Sequence, residues 1–159
     1  MPKRPLDAID CRILDALQDD GRIPNLELSE KIGLSPSPCS RRVHLLEADG
    51  FIRRYVALLD PAAIDLPVYV FVNVTLEKQI ETSLKLFERT ILERPEVLEC
   101  YLMTGSFDYL LRVVVSDLAA YERFVLDHLT RIPGVASIKT SFALKQVKYR
   151  TALPLGHLE

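Results

Sequence analysis

From Val68 the chain alternates with strand period: Val68, Val70, Val72 and Val74 fall on one side, and Tyr69, Phe71, Asn73 and Thr75 on the other. Ile80, Leu84, Phe87 and Ile91 then recur at helical spacing, and Pro95 pushes its predecessor out of helical geometry. Val97–Met103 and Tyr109–Val115 read as strands. Leu118, Tyr121, Phe124, Val125 and Leu129 mark a second helix closed by Pro133-Gly134, and Val135–Leu144 a last strand. Strand, helix, strand, strand, helix, strand is the ferredoxin-like βαββαβ order, in which both helices cover one sheet face. Tyr69 and Phe71 make the other face too apolar to stay wet, so they are the candidate oligomerisation residues and a partner sheet the expected cover.

The residues before Val68 have a different grammar. Ile9, Ile13, Leu14 and Leu17 share a helical face from Asp7 to Leu17, with Asp10, Asp15 and Asp19 elsewhere and Asp20-Gly21 as the exit. A second helix is predicted over residues 25–32, with Gly33 as its stop. Ser35 is a candidate N-cap with Pro36 in the first turn, so a third helix should run to about Asp49 and stop at Gly50. Two short helices around Gly33-Leu34-Ser35 have the length and turn chemistry of a helix-turn-helix. The apolar stripe Cys39, Val43 and Leu46 turns Ser37, Ser40, Arg41 and His44 outwards, where serine and arginine can address base edges and phosphates; Arg42, at the edge of that face, suits a phosphate. Residues 51–58 read as a strand pair resembling the wing of a winged helix, from which Arg53 and Arg54 would reach the DNA backbone. Ser35, Ser37, Ser40, Arg41, Arg42, His44, Arg53 and Arg54 are thus the candidate DNA-binding set.

The 159 residues suit two small domains: a winged helix-turn-helix over residues 1–59, a linker over 60–66 and a ferredoxin-like domain over 67–159, an α+β chain overall. A net charge of −2 argues against a large basic surface, so DNA binding must draw on several modest patches acting together, as two readers in a dimer would. Cys11, Cys39 and Cys100 have neither disulfide nor zinc spacing, and His44, His128 and His157 lie far apart without ligand motifs; no metal or cofactor is expected. No nucleophile motif accompanies the serines, so no enzyme is expected. The start of the chain lacks the apolar stretch of a secretion signal, and no run is long enough to span a bilayer, so the expected location is cytoplasmic.

Several segments, taken in order, resemble the leucine- and asparagine-responsive regulators, the Lrp/AsnC family. They are Leu6-Asp7 and Asp10 with Ile13-Leu14; Asp20-Gly21-Arg22; Gly33-Leu34-Ser35-Pro36-Ser37-Pro38; Arg41-Arg42-Val43; Leu46-Glu47; Gly50-Phe51-Ile52; Thr104-Gly105; Phe107-Asp108-Tyr109; Pro133-Gly134-Val135; and Val147-Lys148. The resemblance implies a transcription regulator that binds double-stranded DNA, forms homodimers commonly joined as an octamer of four dimers, and responds to an amino acid. It places the effector at the loop Thr104, Gly105, Ser106 and Asp108, together with surfaces of an adjacent dimer. The sequence departs from the family pattern at Pro24, where a helix-opening hydroxyl is common, and at Ser106, where an acidic residue often stands. With serine there, the ligand ammonium would fall to Asp108 or to backbone carbonyls. The alternative reading is an architectural, nucleoid-associated DNA-binding protein with little sequence preference.

Overall fold

The structure is a computed structural model that describes residues 4–158. It divides into two compact units: one runs to Leu58 and includes the chain from Lys148 onwards, the other is Leu59–Val147. The last segment therefore belongs to the amino-terminal unit, where the sequence expectation put it in the second domain. The amide of Gln18 explains the placement, donating to the Leu153 carbonyl at 3.1 Å and accepting from the Leu153 amide at 2.7 Å.

The first unit consists mainly of α1 (Ala8–Asp19), α2 (Asn25–Ile32) and α3 (Pro36–Ala48). A capping box opens α1: Asp7 accepts from the Asp10 amide at 2.8 Å, and Asp10 accepts from the Asp7 amide at 3.3 Å. Ile13 and Ala16 pack with Leu28, Ile32, Cys39 and Leu46, burying the apolar stripes of all three helices together. Gly33 closes α2 in the left-handed conformation (φ 78°), as its position predicts.

Three local expectations change. First, α1 exits through Asp20 in extended backbone, and Gly21 does not take a positive φ. Gly21 has another reason to lack a side chain, because a Cβ there would lie 3.2 Å from the Tyr55 ring. Second, Ser35 has the extended backbone of an N-cap but its side chain makes no capping bond; Pro36 supplies the start of α3, and the Asn25 side chain donates to the Pro36 carbonyl at 2.9 Å. Third, residues 51–58 form no strand. The Phe51 and Ile52 amides turn back to the Leu46 carbonyl, and Tyr55 donates to Glu47 at 3.0 Å, so this stretch closes α3 rather than pairing as a wing.

In the second unit, a short 3-10 turn at Ala62–Ile64 precedes β1 (Val68–Leu76), α4 (Glu81–Leu92), β2 (Val97–Leu102), β3 (Tyr109–Val115), α5 (Leu118–Asp127) and β4 (Val135–Phe142). The sheet order is β2-β3-β1-β4 with every neighbouring pair antiparallel, which is the ferredoxin-like arrangement. Val70, Val72 and Val74 lie opposite Val113, Leu111 and Tyr109, and this face buries Phe87, Ile91, Tyr121 and Phe124 from the helices. Phe87 stacks on Tyr109 with ring centroids 4.4 Å apart. The second helix stops at Asp127, two residues short of Leu129, which begins a 3-10 turn; β4 stops at Phe142, leaving Leu144 fully exposed. Among the described residues no helix is long and apolar enough to cross a membrane.

Candidate DNA-binding and effector surfaces

On α3, Cys39 and Leu46 are buried, while Ser37, Arg41 and His44, spaced as i, i+4 and i+7, are exposed on one face. Ser40 is half-buried beside them. The His44 ring uses Nδ1 to reach the Ser40 carbonyl at 2.7 Å, which leaves Nε2 as the ring atom for an outside partner. Arg41, Arg53 and Arg54 are exposed and make no ion pair among the described residues. Ser35 is exposed at the entrance to the helix.

Arg42 behaves differently from its neighbour. Its Nη1 lies 2.8 Å from both an Asp7 and an Asp10 oxygen. Arg4 reaches Asp10 at 2.6 Å through Nη1 and Asp49, the residue that ends α3, at 2.9 Å through Nε. Asp10 has no exposed surface, although helical periodicity set it off the apolar face of α1. Burial is the largest single influence on its carboxyl and raises its pKa, yet the hydrogen bonds from Arg4, Arg42 and the Asp7 amide together hold it below the usual range. The Arg42 guanidinium is correspondingly held above its usual value, foremost by its bond to Asp7 and then by that to Asp10. Arg42 is therefore a strut between α3 and the start of α1, and turning it wholly to DNA would strip a cation from a buried carboxylate. Arg4, Asp10 and Asp49 are the partners that sequence reasoning missed, and the capping-box spacing of Asp7 and Asp10 was the available signal.

In the second unit, Thr104, Gly105 and Ser106 are exposed between β2 and β3. Gly105 has φ 122°, a region that side chains disfavour, and nothing lies within 4 Å of where its Cβ would be. Asp108, by contrast, is 4% exposed. Its carboxylate accepts from the Leu76 amide at 2.6 Å and from the Gln79 side chain. Its own amide donates to the Val74 carbonyl at 2.9 Å, and its carbonyl accepts from the Met103 amide at 2.8 Å. The open sheet face carries Tyr69 and Phe71, the latter 38% exposed, with Leu110, Val114 and Tyr101 around them. Arg112 crosses this face to Glu99 at 2.6 Å and holds that carboxyl below its usual range.

Comparison with known proteins also divides the chain in two between residues 53 and 69, although the second match extends past Val147 into the segment that packs with the first unit. Residues 6–53 match the winged helix-turn-helix DNA-binding family, and residues 69–153 the Lrp/AsnC ligand binding domain. The chain is 51% identical over 150 residues to the Bkd operon transcriptional regulator of Pseudomonas aeruginosa, covering 94% of this chain and 98% of that one. It is 43% identical over 152 residues to the leucine-responsive regulatory protein of Escherichia coli, covering 96% and 93%. Among solved structures, a transcriptional regulator from Neisseria meningitidis, in complex with L-Met, superposes with a TM-score of 0.93 at 43% identity over 97% of this chain and 99% of that one. An AsnC family regulator from Agrobacterium tumefaciens superposes with 0.91 at 43% identity, covering 96% and 99%. With both halves of the chain and their order accounted for, the protein belongs to the Lrp/AsnC family and is a DNA-binding transcription regulator.

Proposed function

We propose that this regulator reads an operator with Ser37, Arg41 and His44 of α3, with Ser35 and Ser40 at the margin of that surface and Arg53 and Arg54 on the flanking phosphates. The observation that carries the reading is the split between adjacent arginines: Arg42 is consumed by Asp7 and Asp10, while Arg41 stands exposed in line with Ser37 and His44. An arginine on a base edge contributes about 1–3 kcal/mol of discrimination, whereas a phosphate contact weakens all sequences alike. Selection of bound sequences from a random DNA pool, followed by Arg41→Ala titrations on specific and scrambled duplexes at matched salt, tests the assignment. A loss of preference with Arg41→Ala supports it. Equal affinity of the unaltered protein for all duplexes favours the architectural reading instead.

The same proposal makes the protein a homodimer through the Tyr69 and Phe71 face, assembled further as four dimers. An apolar sheet face of this kind is stable when a second copy covers it, and doubling the readers compensates for the modest charge of each. The effector is an amino acid at Thr104, Gly105 and Ser106. The exposed loop with a glycine at φ 122° supports this location, and the L-Met held by the Neisseria meningitidis relative supports the ligand class. Calorimetry of the intact protein with L-methionine and L-leucine, repeated on Gly105→Ala, checks it: heats that persist unchanged in the variant move the site elsewhere.

A further inference from the structure

The aspartate at the end of the effector loop is the residue to which charge alone would assign a ligand ammonium. Its surroundings give it other work. The β1–β4 ladder shifts register between Thr75 and Leu76, and Asp108 accepts the Leu76 amide at that irregularity. The second carboxylate oxygen takes the Gln79 side chain, and the Asp108 backbone is bonded to Val74 and Met103. Three groups of one residue thus join the loop to the end of β1 and the segment before α4, and the fourth, its carbonyl, closes the loop onto Met103. Asp108 is buried, whereas Gln79, Thr104, Gly105 and Ser106 are exposed.

We infer that Asp108 and Gln79 are positioning residues that hold the effector loop in its binding shape by tying it to the β1–α4 junction, and that the Asp108 carboxylate is not the partner of the ligand ammonium. The inference rests on the amino-acid site proposed at Thr104–Ser106. Effector affinity is then set in part from residues 77–80, outside the loop that meets the ligand.

The hydrogen-bond inventory distinguishes the two roles. In Asp108→Asn, the amide oxygen still accepts from Leu76, and its NH2 meets Gln79, whose amide turns over to present oxygen. A latch survives that change; a counter-charge does not. In Asp108→Asn with Gln79→Glu, the bond is retained with its direction reversed and the carboxylate moved to position 79. Gln79→Leu removes the donor from an exposed position and leaves the core intact.

The test is calorimetry of the full-length protein with L-methionine and L-leucine, with thermal unfolding recorded on each variant. Asp108→Asn and the reversed pair are expected to keep affinity within about threefold of the unaltered protein, while Gln79→Leu loses about five- to tenfold with its Tm unchanged, since an unmade bond at the loop is felt there first. If Asp108→Asn and the reversed pair both abolish binding while the folded state persists, the carboxylate meets the ammonium and the inference is overturned. If Gln79→Leu shifts Tm but not affinity, the tie is purely structural and the inference is again overturned. If the unaltered protein binds neither amino acid, it is the amino-acid reading of the loop that fails, and the inference falls with it.

Discussion

Removing the Asp10 carboxylate should loosen the recognition helix without touching any residue that meets DNA. In Asp10→Ala, Arg4 and Arg42 lose a shared acceptor and the Asp7 amide loses its capping partner. Removing one member of a buried ion pair costs about 3–5 kcal/mol when the other is left dry. Here the stranded partners keep 32% and 26% of their side-chain surface in water, so solvent takes up part of the loss and the lower end, about 3 kcal/mol, applies. At about 1.36 kcal/mol per decade, this corresponds to opening of the first unit increased by roughly 160-fold. Hydrogen exchange of the full chain at neutral pH, followed on peptides from α1 and α3, reads that factor directly. Arg42→Ala should reproduce much of it, and the double variant should add less than the sum because the two groups share one network. Acceleration below about fivefold in Asp10→Ala, near 1 kcal/mol, would refute the claim that this network holds α3 to α1.

Asp7, foremost through its bond from the Asp10 amide, and Asp10, through its arginine bonds against the pull of burial, both have lowered folded-state pKa values. Their stabilisation is full above the unfolded carboxylate value and is lost as pH falls through the folded ones, so urea midpoints should fall below about pH 4, and this acid limb should flatten in Asp10→Asn. Arg53→Ala and Arg54→Ala should each reduce the slope of log affinity against log salt by about 1, while Arg42→Ala leaves it unchanged; the opposite ranking in filter binding would restore Arg42 as a phosphate contact. Phe71→Asp should weaken self-association by about 100-fold or more, since a large apolar group worth about 1.5–3 kcal/mol is replaced by a charge. An unchanged sedimentation coefficient at micromolar concentration would exclude that face as the interface.

Legibility followed the range of the forces. The alternation of Val68 to Val74 and the helical stripes at Ile80–Ile91 and Leu118–Phe124 report burial directly, and they predicted the ferredoxin-like order. Gly33 reports a backbone angle that few other residues adopt. Asp10 was misread because an acid is buried only where cations meet it, and its two arginines lie six residues upstream and 32 downstream. The strand pair expected at residues 51–58 is absent for a related reason: strand-like composition says nothing about a pairing partner, and the local bonds to Leu46 and Glu47 absorbed the segment. At the effector loop, Gly105 was readable as a turn position, but the register shift that gives Asp108 its backbone donor is a property of two strands whose pairing is set elsewhere.

The return of the chain to the first unit at Lys148 alters what a protease can do to this molecule. Cleavage within residues 59–66 would ordinarily release a reader from its regulatory half. Here the second fragment still carries the segment that bonds Gln18 through Leu153. The nick thus converts a covalent joint into a non-covalent one, whose strength is that of the tail's docking alone. A cleaved molecule remains a complementing pair until the tail is displaced, and a second cut near Lys148 is what sets the reader free.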